Sequence, residues 1–506
     1  MSSKHSVMNN TATLHLRLSV LLLAAALLPS MHLTASAQHL LSLDDALTRA
    51  FASSHTARSA REQLRASEAS AEAARLALYS RVDLEFDLPD YSRTLLAQFN
   101  TVSGRNEFFP FERTQWSGRI DVTQPVVWTN STLTLSGLLY QQQQKDFSPT
   151  GDVFRDWYTD LALQLRQPLF VPNAQRIALR RAELDFEESM ADYVRNTLDL
   201  RYTVTEQFYN LYAAQERVII QQDRVQQEEQ SFTTGQRKYR AGLIAEVEAL
   251  QFEVDLAAAR NDLLAAENLR QSRADQFKIL LGIPVADSLT CLLEDTTVVP
   301  VSIDQEEAVT RAKRTRVDLQ RARNSVERSE LDLEGVEAQR RIRGDLFLSY
   351  GLSKNDAVFT GLSNDLRDTR RAVLTVSVPV FDWGKHSREV EAAEARLRGA
   401  QLAVENVSLG IEREIIELIR NIASAARRAE VMRQSRLIAD IANEISTKRY
   451  EVGTIGSTEL AQARARLLQA RLSALEAVID YHLALADMAR RTAFDFKRGA
   501  SLEVPR

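Results

Sequence analysis

Chemistry-bearing residues are few in this chain, and what is missing excludes most reactions. The sequence has no phosphate-cradling GxxxxGK[ST] loop, no GxSxG nucleophile turn and no GxGxxG dinucleotide turn. His386 and Glu389 sit one helical turn apart and form the sole metal-like pair; two such groups without further ligands are usually surface chemistry. The single cysteine, Cys291, rules out an internal disulfide framework and any Cys-rich metal site. No catalytic residue, metal ligand or cofactor is therefore assigned. What remains is charge placement. Glu248 and Glu459 occupy matching places in "YRAGLIAEVEALQ" and "YEVGTIGSTELAQ", each three residues before a glutamine, Gln251 or Gln462. Carboxylates brought together attract cations and resist anions, whereas a lone glutamate on a solvated helix face does neither. The elements that carry them decide between these readings.

The N-terminus reads as a signal peptide over residues 1–37. Lys4 and Arg17 precede the apolar run Leu18 to Leu28, which is closed by "LTASA". The run falls short of the ~20 apolar residues a spanning helix needs. Cleavage after Ala37 would leave Gln38 first, with no cysteine nearby for a lipid anchor, and would move the formal charge from -5 to -7. A mildly acidic chain does not suggest a nucleic-acid partner. Charged residues make up 26 % while Gly and Pro are scarce, a balance that favours long helices. No later stretch approaches ~18 consecutive apolar residues, so no transmembrane helix is expected.

The chain is two related halves. At an offset of 211, Pro168 meets Pro379, Phe170 meets Phe381, Tyr239 meets Tyr450, Gly242 meets Gly453 and Gln251 meets Gln462. Paired Pro, Tyr and Gly are not what two Ala-rich helices share by composition. At an offset of 262, "ALTRA" meets "AVTRA" and "RVDL" meets "RGDL", so 51 extra residues lie in the first half between Leu84 and Pro168. The organisation expected is a first repeat over 38–283, a linker over 284–303 broken by Pro284 and Pro300, a second repeat over 304–494 and a tail over 495–506.

Three- and four-residue apolar steps predict helices over 176–238 and 385–448, each ~90 Å long, followed by shorter helices over 246–281 and 458–493. Helices over 43–79 and 304–339 precede the strand regions. Gly242 and Gly453 suit the left-handed position after a helix, and Ser457 or Thr458 suits the next N-cap. Alternation predicts strands in "VDLEFDL" (82–88), "SGRIDVTQ" (117–124), "TLTLSGL" (132–138), "YTDLALQLRQ" (158–167), "DLFLSYGL" (345–352) and "LTVSVPV" (374–380). One face is apolar and the other carries Asp, Gln, Thr and Ser. A soluble half-buried sheet gives the same pattern. All four tryptophans, Trp116, Trp128, Trp157 and Trp383, fall at or beside the ends of these strands, as aromatic girdles of an outer-membrane barrel do. Four to six strands cannot close a barrel that needs at least ~8, so several chains must share it.

The junction "SVPVFDWGKHSREVEAAEARL", its cousin "RQPLFVPNAQRIALRRAEL" and the two turn segments together resemble the TolC family of outer-membrane efflux channels, over essentially all of the mature chain. The resemblance implies a mainly α fold with a small β part: duplicated antiparallel helical hairpins forming a periplasmic tunnel, and strands contributed to a shared trimeric barrel. It implies a homotrimer in which each chain gives two strand hairpins to twelve strands. The partners implied are outer-membrane lipid, a periplasmic adaptor protein and an inner-membrane pump, with this chain the exit duct of an efflux or type I secretion system. By the same resemblance Glu459, Glu248 and Gln462 line the pore entrance. Tyr239, Gly242, Leu243, Tyr450, Gly453 and Thr454 form the adaptor-docking tips. Pro168, Phe170, Pro379, Phe381 and Trp383 mark the strand-to-helix junction, expected to run without a loop.

Three departures stand out. Neutral Gln462 replaces a second acid, Ile455 replaces an arginine of the closed entrance, and residues 118–140 read as an additional hairpin turning at Thr129, Asn130 and Ser131. That hairpin either widens the barrel or decorates one end; "TQPVVW" resembles "RQPLFV" and favours a turn on the periplasmic side. The competing class is a periplasmic coiled-coil adaptor or scaffold without a pore. An adaptor would need one helical hairpin flanked by compact Gly-rich β domains.

Overall fold

The computed structural model describes residues 38–100, 103–146, 153–292 and 298–502. The signal-peptide segment lies outside the described residues. Chain order runs β1 (Gln38–Leu41), α1 (Leu43–Ser53), α2 (His55–Leu76), β2 (Arg81–Asn100), β3 (Arg105–Val126), β4 (Ser131–Asp146), β5 (Val153–Leu169), α3 (Ala174–Arg240) and α4 (Glu246–Leu281). The second half follows with β6 (Ser288–Cys291), α5 (Gln305–Thr315), α6 (Val317–Ala338), β7 (Arg343–Asp356), a 3-10 turn (Phe359–Ser363), β8 (Arg367–Ser377), α7 (Lys385–Glu451) and α8 (Ser457–Thr492). A small ribbon of β9 (Phe494–Asp495) and β10 (Ala500–Ser501) ends it.

The duplication is carried into three dimensions residue for residue. α3 and α7 each have 67 residues, α4 and α8 each have 36, and both pairs start and stop at the 211-residue offset. At ~1.5 Å per residue the long helices span about 100 Å. The expected first helix of each half is instead two helices, broken at Ser54 and at Arg316, which are related by the 262-residue offset. Both residues are extended; Ser54 caps α2 through its hydroxyl on the Ala57 N–H, and Arg316 pairs with Glu414 at 2.9 Å. A polar tether held the break in each half, which helical periodicity alone does not reveal.

Two equivalent cores lie midway along the long helices. In the first, Leu200, Val204, Leu211 and Phe277 pack with Ala46 and Ala50. The second places Ile411, Ile415, Ile422 and Met488 at the corresponding offsets, with Ala308 and Ala312. Alanines on the short helices let backbones approach closely where the larger side chains interlock. β1 pairs in parallel with β6, so part of the expected linker over 284–303 is a strand that closes the first core, capped by buried Leu289 and Cys291.

The sheet has six strands in the order β2-β3-β4-β5-β7-β8, antiparallel throughout. The resemblance implied four per chain; β3 and β4, which span the insertion, supply the other two as full members. Five of the six strands outrun the alternating segments at both ends, because their distal parts, such as Gln141–Gln144, lose the clean apolar alternation; β8 starts earlier than expected but stops at Ser377, short of the expected end at Val380. The register aligns one apolar face across the sheet: Leu84 opposite Ile120, Ile120 opposite Gly137, Gly137 opposite Leu161, Leu161 opposite Leu352, and Leu346 opposite Leu374. Asp83, Asp121, Ser136, Gln164, Ser349 and Thr375 alternate to the other face. The apolar face is uncovered, with Leu84, Phe86, Ile120, Leu163 and Tyr350 all exposed.

Candidate functional site

At the far end of each hairpin a Schellman turn reverses the chain. Gly242 (φ 70°) donates to the Tyr239 carbonyl and Leu243 to that of Lys238, both at 2.8 Å. Gly453 (φ 79°) donates to Tyr450 at 3.0 Å and Thr454 to Arg449 at 2.9 Å. Only glycine adopts this left-handed position without strain, which is why it recurs. The next N-terminus is capped differently from the expectation: Gly456 is the N-cap of α8 with no side-chain bond, and Ser457 is the buried first helical residue. Glu459 and Glu248 both lie in first turns, where a carboxylate complements the helix dipole.

The two tips are not equivalent. Tyr239 is exposed, whereas Tyr450 is buried against Phe252, Leu460, Phe232 and Ile455. Lys238 explains the difference: its ammonium sits 4.1 Å from the Tyr450 ring centroid and donates to the Tyr450 carbonyl, tying the first tip to the second. Burial, with Glu248 nearby, pushes the Tyr450 phenol above its ordinary range. Ile455 therefore fills an apolar cluster. Glu459, Gln462, Leu243, Gly242, Gly453 and Thr454 are exposed, and Glu248 is half-buried. Among the described residues neither acid forms an ion pair. The structure brings Glu248 towards Tyr450 but does not bring Glu248 and Glu459 into contact.

Sequence reasoning missed the ladder that holds α8 to α3. Arg464 meets Glu228 at 2.7 Å, Arg471 meets Asp223 at 3.2 Å, Glu476 meets Arg217 at 3.5 Å and Arg490 meets Asp199 at 2.9 Å. Arg471 also reaches Asp440 of α7 at 2.9 Å. The first rung is buried, and burial pushes the Glu228 carboxyl above its ordinary range against the pull of Arg464. Partners more than 200 residues apart leave no local signal.

At the other end the strand-to-helix passages are sharp turns, correcting the expectation of a loopless junction. β5 stops at Leu169; Phe170 turns left-handed (φ 62°) and Asn173 caps α3 by accepting from the Arg176 N–H at 3.0 Å. β8 stops at Ser377, so Pro379, Phe381 and Trp383 lie beyond the strand. Trp383 (φ 57°) and Gly384 (φ 81°) make the turn, Asp382 accepts from the N–H groups of His386 at 3.1 Å and Gly384 at 2.9 Å, and these bonds hold its carboxyl below the usual range. The Phe381 and Trp383 rings meet edge to face at 4.8 Å, both exposed. The β3–β4 turn is pinned to the first junction: Gln167 donates to the Thr129 carbonyl at 2.7 Å, Asn130 to Pro172 at 3.3 Å, Gln175 to Ser131 at 3.1 Å, and Asn173 to Val127. Pro168 lies within β5 opposite Asp345.

The tryptophans fall on two levels. Trp116 and Trp157 both pair with Gln141, in the middle of β3 and near the start of β5, while Trp128 and Trp383 lie at the helix-side turns. Trp116 is therefore not at a strand end, because β3 continues outward to Arg105. Elsewhere, Glu389 pairs with Lys385 at 3.5 Å, and among the described residues no group of three His, Cys, Asp or Glu side chains is placed to hold a metal. No described helix is long and apolar enough to cross a membrane.

Long paired helices running from a Schellman tip to an uncovered, amphipathic, single-layer sheet define an outer-membrane duct: helical tunnel at one end, barrel wall at the other. The outer membrane efflux protein family matches residues 46–282 and 309–492, one block per repeat, and the chain belongs to that family. No curated protein sequence matches it. Among solved structures the chain is similar to the outer-membrane channel OprN (17 % identity, 91 % of each chain, TM-score 0.66). It is also similar to the CmeC outer membrane channel of Campylobacter jejuni (14 %, 92 % of this chain and 87 % of that one, TM-score 0.66). A third is the outer membrane protein VceC of Vibrio cholerae (17 %, 91 % and 97 %, TM-score 0.64). The protein is an outer-membrane efflux duct with its helical tunnel in the periplasm, and the pore-less adaptor reading is not favoured.

Proposed function

We propose that three copies of the chain assemble into one continuous duct that receives substrates from a periplasmic adaptor and an inner-membrane pump and conducts them passively to the exterior. The observation that carries this reading is the internal repeat. Within the chain, α3 of the first repeat holds α8 of the second. Shifting both partners by 211 residues turns that contact into one between α7 of one copy and α4 of the next. The residues this would bring together are exposed and apolar in the single chain: Val247 beside Ile445, Leu250 beside Ile441 and Val254 beside Ile438. Repeating two such contacts around an axis closes a ring of helices without leaving an uncovered face.

In that ring Glu459, with Glu248 behind it, supplies the acidic entrance, and Gln462 contributes hydrogen bonds but no charge. The exposed tip residues Tyr239, Gly242, Leu243, Gly453 and Thr454 offer the adaptor its surface, while Tyr450 stiffens the turn from beneath. The two tryptophan levels mark the membrane boundaries. They are separated by about ten residues of strand, roughly 27 Å at a typical tilt, which fits the ~25 Å apolar band of outer-membrane barrels. Purification from outer membranes, followed by native mass spectrometry, tests the assembly. A trimer is expected; a monomer in the soluble periplasmic fraction would overturn the duct.

A further inference from the structure

We infer that the barrel wall contains eighteen strands, six from each copy, closed by pairing β8 of one copy with β2 of the next. The inference rests on the three-copy assembly proposed above and goes beyond it, since the resemblance alone implied four strands per chain. Three observations carry it.

First, β3 and β4 are structural members of the wall. β3 pairs with β2 from Arg105 to Thr123 and with β4 from Phe111 to Val126, and β4 pairs with β5 from Thr132 to Lys145. Their apolar residues Ile120, Val122, Leu133 and Leu135 continue the stripe formed by Leu84 and Leu163. A decorative hairpin has no reason to keep that alternation in register, because slipping by one residue would place every apolar side chain on the polar face. The turn bonds to Thr129 and Asn130 fix the hairpin's inner end level with the strand-to-helix junction.

Second, the sheet is open, with β2 and β8 as its edges. Two long unpaired edges beside an uncovered apolar face cannot persist in lipid, where every backbone group must be bonded within the protein. Six is an even number, so the two edges run in opposite directions and a copy-to-copy contact is antiparallel like all the others.

Third, the register closes. Following the paired residues from Arg81 leads through Thr123, Thr134, Gln164 and Ser349 to Arg371. Ser377, six positions further, ends β8. Placing Arg81 level with Ser377 of the next copy sets Val82 against Val376 and Leu84 against Leu374, apolar with apolar, and Asp83 against Thr375 on the polar face. Six residues per copy give a shear of about 18 and a strand tilt of roughly 35°, inside the range of membrane barrels. The resulting circumference is about 105 Å, close to the ~120 Å of a twelve-helix ring, so wall and tunnel join with little taper. For equal tilt such a barrel is roughly one and a half times as wide as one of twelve strands. The membrane section is thus nearly as wide as the tunnel, and the tip is left as the constriction.

Electron cryomicroscopy of the full-length protein in lipid nanodiscs counts the strands directly, and eighteen are expected. Oxidation of an Asp83→Cys/Thr375→Cys variant in native membranes should give covalent dimers and trimers that neither single variant gives. A trimer whose wall has twelve strands, with β3 and β4 outside it, overturns the inference and leaves the duct standing. A trimer without covalent bands overturns the β8-to-β2 closure. A monomer in either measurement removes the three-copy assembly instead.

Discussion

Glu228 of α3 and Arg464 of α8 face each other at 2.7 Å with less than a tenth of either side chain exposed, joining the two repeats about two turns into α8 from the tip. Removing one partner strands the other as a buried charge, whereas replacing both by apolar residues of similar size removes the desolvation cost along with the attraction. Arg464→Met alone is expected to destabilise the folded protein by about 3–5 kcal/mol, and Glu228→Met/Arg464→Met by much less. A double-mutant cycle in detergent-solubilised protein, read by thermal unfolding, checks this; additive losses would mean that the pair does not act as a unit.

The same carboxylate sets a pH dependence. Its folded-state pKa is raised by burial, so the native state binds a proton where the unfolded chain does not. The stability it contributes is fully present below the ordinary carboxylate range and is lost as pH rises through the raised value. The stability of the wild type minus that of Glu228→Gln should therefore fall with rising pH across that window and then level off. A difference that instead grows with pH would show that attraction to Arg464 outweighs burial.

The acidic entrance has an electrical signature. Glu459→Gln with Glu248→Gln should weaken block by divalent cations in planar-bilayer recordings, while either change alone gives a smaller effect. Unchanged block in the double variant would move the selectivity ring elsewhere.

The apolar stripes on α4 and α7 should be needed between copies and not within one. Val254→Glu or Ile438→Glu puts a charge into the proposed contact, and each is exposed in the single chain. Circular dichroism is expected to stay helical while native mass spectrometry shows loss of trimer. A retained trimer would place the copy-to-copy contact on another face.

Cys291 is buried, and burial pushes its thiol up to about 12. It should resist maleimide in the folded protein at pH 8 and react once the protein is unfolded. Labelling of the native state would mean that β1 and β6 open readily, since β6 carries the residue and β1 covers it.

The duplication, the helix lengths and the Schellman glycines were legible in the sequence because each is a local or periodic property. A 67-residue amphipathic run declares itself without a partner, and Gly242 and Gly453 announce a left-handed turn wherever the chain lies. Alternation located all six strands, though not their full length, since the glutamines beyond Tyr140 pair through the backbone and need no apolar pattern. Ser54 and Arg316 showed no break, as a serine and an arginine are each tolerated inside a helix and only their tethers make the extended conformation favourable.

The amino-acid sequence by itself thus determined the long helices and the six alternating strands, that the chain comes in two related halves, and that one face of each alternating strand is apolar. Only the tertiary structure decided which strands are neighbours and which helices exchange charge. Pairing of β3 and β4 into the wall, and of Glu228 with Arg464 across 236 residues, depends on surfaces that meet after folding. Periodicity is a property of one segment, while register and ion pairing are properties of two, and no single stretch of chain records its partner.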